Sequence, residues 1–355
     1  EADTDGDEDY INFINYIKVN KIAENPKKIK ELLYLLSEIS MHHHQIPSLL
    51  PKIQKIIMLY KIQIKRSFSI SELFQLFAKN KLIILFFLEK KIIPSNQYVF
   101  HKMLEMKSYN DIKYCHFFYP EMKKYLDASR EFDYDVTNAI EDISPDILKD
   151  FYEKRKKGEN ESNICELIRN DSIEDFIVHI NEMNIPLGMT IKPSIFETHP
   201  LLIKNKTTLI EYAAYFGSIQ IVQYMINNNI ELKPSLWIYA IHSNNAELIN
   251  LLEQNNIKPE DESFEECFKE SIKCHHNEVA NYINDNFLNQ QNENENINFD
   301  KNAVCYAFHY HNFDFFPNNL KNNEFIFFYA CKYDHILIIE YLLTTQKIDV
   351  NKSIV

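Results

Sequence analysis

The sequence predicts an all-α chain: a solenoid of short helix pairs behind a helical N-terminal region. Three observations carry that expectation. A small residue recurs at Ala213, Ala240, Ser271, Ala307 and Ala330, and four residues after each comes a turn residue: Gly217, Asn244, His275, His311 and Asp334. An apolar face follows the turn, as at Ile219, Ile221, Val222, Met225 and Ile226, or at Ile336, Ile338, Ile339, Leu342 and Leu343. No segment alternates polar and apolar residues for long, so strands should be minor. A small residue, a turn and an i, i+2, i+3, i+6 apolar face describe two short antiparallel helices. Such units cannot hide their apolar face alone and stack to bury it.

The first ten residues, EADTDGDEDY, read as an acidic flexible lead (1–10). A helical N-terminal domain (11–157) follows. Pro26 opens a helix with Ile29, Leu32, Leu33, Leu36 and Ile39 on one face, and Pro47 and Pro51 precede another with Ile53, Ile56, Ile57, Tyr60 and Ile64. Proline suits a first helical turn, where its missing N–H is no loss. Ser71–Lys91 has the helix-pair look, with Asn80 as the break in the left-handed conformation that ends a helix. Short helices continue over 98–155, broken near Asn110, Pro120 and Ser144–Pro145.

Residues 155–163, RKKGENESN, are charged and polar and read as a boundary. The array (164–355) then begins with a degenerate helix pair, Ile164–Ile180, that turns at Asp171. Asn181–Lys206 contains prolines and must be a long finger, with room for a helix of its own. The small residues of the better repeats are 27, 31, 36 and 23 apart, and the third interval holds the polar run NQQNENEN at 289–296. Intervals of 23 and 27 leave little room for full fingers, so irregular short fingers are expected.

Composition narrows the function. Four glycines, Gly6, Gly158, Gly188 and Gly217, cannot build a nucleotide fingerprint, a P-loop or a nucleophile elbow, which cluster their glycines. The net charge of −13 argues against a nucleic-acid partner or an anionic membrane surface. Six scattered cysteines, no visible signal peptide and a longest apolar run of only Leu82–Leu88 predict an intracellular, cytoplasmic protein without membrane insertion.

At 208–232 the residues resemble the ankyrin repeat: Thr208, Ile210, Ala213, Ala214, Gly217, Ile221 and Val222 fall in its register, while Leu209 and Glu211 stand where that family has Pro and His. Asn229 replaces its second Gly, and Ala330, Ile338, Ile339, Leu342, Leu343, Asp349, Val350 and Asn351 fit near the other end with one insertion. The order of segments over 164–355 resembles a divergent ankyrin-repeat family, expanded in certain flagellate protist parasites and known as a domain of unknown function. That resemblance implies an ankyrin-type solenoid and protein binding. It implies no reaction, cofactor or named partner. In an ankyrin stack the variable positions of the first helix line a concave face. By register these are Tyr212, Tyr215 and Phe216, then Tyr239, His242 and Ser243, then Lys332 and Tyr333, a set rich in tyrosine as protein-binding surfaces are.

Other candidate chemistry is weaker. Asp3, Asp5 and Asp7 alternate like a calcium loop, but Glu8 stands where that loop needs Gly and Ile14 where it needs Glu. His42, His43 and His44 are consecutive and point apart on a helix. Cys267 and Cys274, with His275 and His276, lack tight zinc-ligand spacing and read as buried thiols. Glu265–Glu266 and Asp261–Glu262 read as a solvated acidic loop and helix start, and no catalytic motif stands out. The expectation is therefore a protein-binding adaptor and not an enzyme, without metal or cofactor. The alternatives are a structural component of a large assembly, or an enzyme with its site in the N-terminal half.

Overall fold

The computed structural model describes residues 4–43, 46, 48–105, 114–126, 145–204, 206–260, 262–288, 296–316, 323–345 and 348. Among them all regular structure is helical, with a single isolated antiparallel bridge, Thr190 to Thr208. The His44 position, the run 289–295, the Asn110 and Ser144 breaks, Asp261 and the Asp349–Asn351 match lie outside the described residues.

The helix-pair register of the sequence is present in the backbone. Helix pairs are Asn163–Arg169 with Ile173–Glu182, Leu209–Phe216 with Ile219–Asn227, and Leu236–Ser243 with Ala246–Gln254. Glu265–Lys273 with Asn277–Ile283 and Asn323–Lys332 with Ile336–Thr345 continue the series. The turn residue has positive φ every time: Asp171 (47°), Gly217 (72°), Asn244 (52°), His275 (57°), His311 (57°) and Asp334 (58°). Ser218, His276, Asn312 and His335 then bond their N–H to the carbonyls of Ala213, Ser271, Ala307 and Ala330 at 2.8–3.0 Å. This six-to-one bond with a left-handed residue is the Schellman ending, and it satisfies carbonyls that the helix leaves open. The second helices end alike, on Asn184, Asn229 and Asn256, each followed by isoleucine.

The small residue is small for a steric reason. Ala213, Ala240, Ser271, Ala307 and Ala330 are all fully buried. First helices pack on first helices in chain order: Leu236–Ser243 on Glu265–Lys273, that on Asn296–Tyr310, and that on Asn323–Lys332. Ser271 uses its hydroxyl within its own helix, donating to the Cys267 carbonyl at 2.8 Å.

A side-chain ladder crosses from each pair to the one before. Asn245 Nδ2 donates to the Gly217 carbonyl (3.3 Å), His276 Nδ1 to Ile241 (2.7 Å), Asn312 Nδ2 to Ile272 (2.9 Å) and His335 Nε2 to Phe308 (2.7 Å). All four donors sit one residue past the turn. Burial holds His276 and His335 below the usual imidazole pKa, so each is neutral with its N–H on a carbonyl. Asn312 is buried and also donates to Asn277 Oδ1 at 2.8 Å. Asn312→Ala is expected to cost about 1–3 kcal/mol, the penalty for stranding buried acceptors. Asn312→His is expected to recover most of it, because histidine fills this ladder position at 276 and 335. Urea midpoints of the two variants check this; equal losses in both would refute the ladder.

The spacing irregularities have local causes. After Asn296–Tyr310 the place of a second helix is taken by a 3₁₀ turn, Phe313–Phe315, which accounts for the 23-residue interval. After Asn277–Ile283 the helix widens into a π turn, Asn284–Leu288, at the start of the longest interval. The finger 183–208 carries the helix Pro200–Lys204.

The chain divides into two compact units, Glu1–Tyr212 and Ala213–Val355. The division lies within the helix Leu209–Phe216 and not in the charged stretch 155–163. Within that stretch Arg155, Gly158 and Asn160 are buried, while Lys156, Lys157, Glu161 and Asn163 are exposed. Gly158 ends the helix Pro145–Lys157 at φ +70°, and a Cβ there would sit 2.9 Å from Leu82 Cδ1 and from Thr198 Oγ1. Polar residues can be packed where each polar atom finds a partner.

In the first unit, helices between Thr4 and Lys157 surround a core that includes Ile17, Leu33, Ile57, Phe77, Ile83, Phe87 and Phe117. The acidic lead is corrected from Thr4 onward. The helix Thr4–Val19 begins inside it, and its acidic residues stand at the helix N-terminus, where negative charge is favoured. Asn80 is also corrected. It has φ −105° and caps the next helix, accepting from Ile83 N–H while its amide donates to the Ser40 carbonyl. Pro26 opens its helix as expected, with Asn25 as the cap. The helix expected through Ile53–Ile64 is two, Leu49–Leu59 and Lys61–Ser67, broken at Tyr60.

Candidate functional site

Four of the eight residues expected on a partner-binding face are buried: Tyr212, Tyr215, Tyr239 and His242. Phe216, Ser243 and Tyr333 are half-buried, and Lys332 is exposed. The correction has a simple cause. In a first helix such as Leu236–Ser243 nearly every side chain is covered, because the neighbouring helices leave no wide polar stripe. Tyr212, in the first unit, accepts from Arg169 Nη1 at 2.7 Å, and burial raises its phenol pKa far above the usual range. In the second unit the ring of Tyr215 lies 5.3 Å from that of His242. Tyr333 is held between the His309 ring at 4.8 Å and the Cys305 sulfur at 3.7 Å, with the Lys332 ammonium over its face at 5.3 Å.

His242 belongs to a cluster that no single sequence segment reveals. It comes from one first helix; Glu270 and Cys274 come from the end of the next, four apart and so on one face. Candidate ligand atoms of the three lie within 4.8 Å of one another. His242 Nε2 is 2.9 Å from Glu270 Oε1, and Cys274 Sγ is 3.7 and 3.9 Å from His242 Nδ1 and Nε2. Lys273 Nζ donates to Glu270 Oε1 at 2.7 Å. Burial alone would raise the Glu270 carboxyl; the His242 hydrogen bond and the Lys273 charge outweigh it and hold the pKa at about 2. Burial, with the Glu270 charge beside it, pushes the Cys274 thiol up.

The imidazole, thiol and carboxylate invite comparison with a cysteine nucleophile. Two observations oppose it. A sulfur almost equidistant from both ring nitrogens cannot lie along either lone pair, since these diverge in the ring plane. Cys274 is also fully buried, where a nucleophile needs access to its substrate. Cys267, paired with Cys274 in the sequence reading, is a separate buried thiol. His275 Nε2 instead reaches the Tyr310 carbonyl at 3.0 Å, and His276 serves the ladder.

The first unit holds a second polar concentration, again without a sequence signature. Glu197 Oε1 accepts from His199 Nδ1 (2.7 Å) and from the N–H groups of Thr198 and His199 (2.9 Å each), and Oε2 accepts from Asn160 N–H (3.2 Å). Burial opposes its charge, but the His199 charge and these bonds prevail and lower its pKa. Lys81 Nζ meets the Glu197 main-chain carbonyl at 3.4 Å and the Phe117 ring at 5.6 Å. Arg155 grips Glu121 with two bonds, 2.7 and 2.9 Å, and donates to the Phe117 carbonyl. A carboxylate with four donors already on it has little capacity left for a substrate proton, so this network reads as structural.

No described helix is long and apolar enough to cross a membrane. The chain shows no significant match to any family model, curated protein or solved structure.

Proposed function

We propose that the chain is a protein-binding adaptor built as an ankyrin-type helix-pair solenoid. The observation that supports this best is the shared register: a left-handed turn four residues after each buried small residue, and first helices packed on first helices in order. Stacks of this kind present continuous surfaces and carry function by binding. The partner surface lies in the second unit, where Phe216, Ser243, Lys332 and Tyr333 reach solvent, as do Asn228, Asn229, Glu231, Lys233 and Pro234 in a connection between pairs.

The test uses the full chain as bait in extract of its native cell, compared with a Lys332→Glu/Tyr333→Ala variant of unchanged circular dichroism. The expected result is a protein recovered in stoichiometric amount by the wild type and reduced at least tenfold by the variant. Equal recovery by both would exclude this surface, and no stoichiometric protein would exclude the adaptor reading. A second reading, permanent incorporation in a large assembly, draws on Phe328, Ile336, Tyr341 and Leu343, which the last described pair leaves exposed. It predicts a chain that self-associates when isolated and becomes monodisperse when produced with its neighbour.

A further inference from the structure

We infer that His242, Glu270 and Cys274 form a binding site for one divalent ion of the zinc class, tying two successive helix pairs together. Imidazole nitrogen, thiolate sulfur and carboxylate oxygen are the ligands such an ion takes, at about 2.0–2.1, 2.3 and 2.0–2.2 Å. Around a tetrahedral ion, ligands at those bond lengths stand roughly 3.3–3.7 Å apart. Here His242 Nε2 is 2.9 Å from the Glu270 oxygen and 3.9 Å from the Cys274 sulfur. These two separations are within a few tenths of an ångström of the tetrahedral values, and all three candidate ligand atoms lie within 4.8 Å of one another, so side-chain rotation alone would close them on the ion.

Three further features fit. Glu270 and Cys274 are one helical turn apart at a helix end, and His242 reaches them from the preceding first helix, so the site is formed only when the pairs stack. Glu270 Oε1 takes both His242 Nε2 and the Lys273 ammonium, and the carboxylate has a second oxygen, so an ion would take one oxygen and leave the other to Lys273, the hydrogen-bonded arrangement usual for a ligating carboxylate. The cysteine is buried while the His242 and Glu270 side chains keep 10% and 16% exposure, which leaves an approach and a fourth position on their side. Binding releases the thiol proton to solvent as the sulfur ligates, and no redox change occurs.

Cobalt(II) is the probe. The reduced full-length protein, titrated with cobalt chloride, is expected to show a near-ultraviolet sulfur-to-cobalt charge-transfer band and visible ligand-field bands that saturate at one equivalent. Zinc should bleach both and raise the melting temperature. Cys274→Ser is expected to lose the charge-transfer band, and Cys267→Ser to keep it. His242→Gln, which retains a hydrogen-bonding partner for Glu270, serves if Cys274→Ser does not fold, and should abolish saturation at one equivalent. A wild type without the band, or a band that survives in Cys274→Ser or saturates unchanged in His242→Gln, overturns the site.

Discussion

Trp237→Ala is expected to cost the second unit about 3–5 kcal/mol, the range for deleting a large buried aromatic side chain. Trp237 is fully buried, and its indole Nε1 donates to the Ile257 carbonyl at 2.7 Å. Ile257 follows Asn256, the left-handed residue that ends the second helix, so the indole pins the start of the next finger. On its other sides lie Phe264 at 5.0 Å and Phe287 at 5.8 Å, edge to face, while those two rings stack on each other at 4.1 Å. Phe264 adopts φ +58°, a strained conformation for a bulky residue, which persists only where packing over-determines it. Removing the indole takes away that packing. Trp237→Phe should be milder, keeping most of the ring contact but stranding the Ile257 carbonyl. Circular dichroism in urea is the measurement, since the variants lack the chain's one tryptophan. A loss under about 1 kcal/mol in the alanine variant would mean the trio is not a keystone of the unit.

Why the repeat register was readable follows from these contacts. A left-handed backbone restricts residue choice, and close helix packing demands a small side chain; both constraints act at one position each and recur. Gly217, Asn244 and Asp334 mark the first, and Ala213, Ala240 and Ala330 the second. The ladder residues Asn245, His276, Asn312 and His335 recur just as regularly, and their offset was available in the sequence as a signal. The covered aromatic positions were less accessible. A half-buried and a fully covered first helix share the same periodicity until all faces are inspected. LWIYAIHS at 236–243 is apolar almost all round, which marks a covered helix.

The His242–Glu270–Cys274 cluster was hidden for a different reason. Its members are 28 and 32 residues apart in chain order from His242, and neither interval matches a local ligand motif. They meet because the histidine lies two residues past the small position of one pair, while the other two flank that position of the next. The same geometry brings His309 to Tyr333. Cys267, Cys274, His275 and His276 lie along one helix and its end, whereas helix packing joins His242 to Glu270 and Cys274 from the neighbouring helix. The buried Lys81 had even less signal, lying at the head of the apolar run 82–88.

Glu197→Ala is expected to destabilise the first unit by about 3–5 kcal/mol, the cost of breaking a buried charged pair by removing one partner. The carboxylate holds the His199 imidazole and three backbone N–H groups, and alanine would remove it from all four, of which the Thr198 N–H has the Gly158 carbonyl to fall back on. Thr198, between them, ties the same turn to the Gly158 carbonyl through its N–H at 3.0 Å and its hydroxyl at 2.7 Å. The loss should therefore spread to 158–160 and raise hydrogen exchange there and at 196–204. Acid should imitate the mutation. The folded carboxyl has a lowered pKa, so as pH falls the unfolded chain takes up this proton first. The stabilisation is complete above the ordinary glutamate value of about 4.3 and drains away as pH falls through the folded pKa. Glu197→Gln keeps the shape without the charge, and its stability should vary less with pH below that value than the wild type's. Urea midpoints between about pH 5 and pH 2.5 make the comparison. Parallel wild-type and glutamine curves would show that folding leaves the Glu197 pKa unshifted, and a wild type that gains on the glutamine variant as pH falls would show a neutral acid, around which the network would have to be rebuilt.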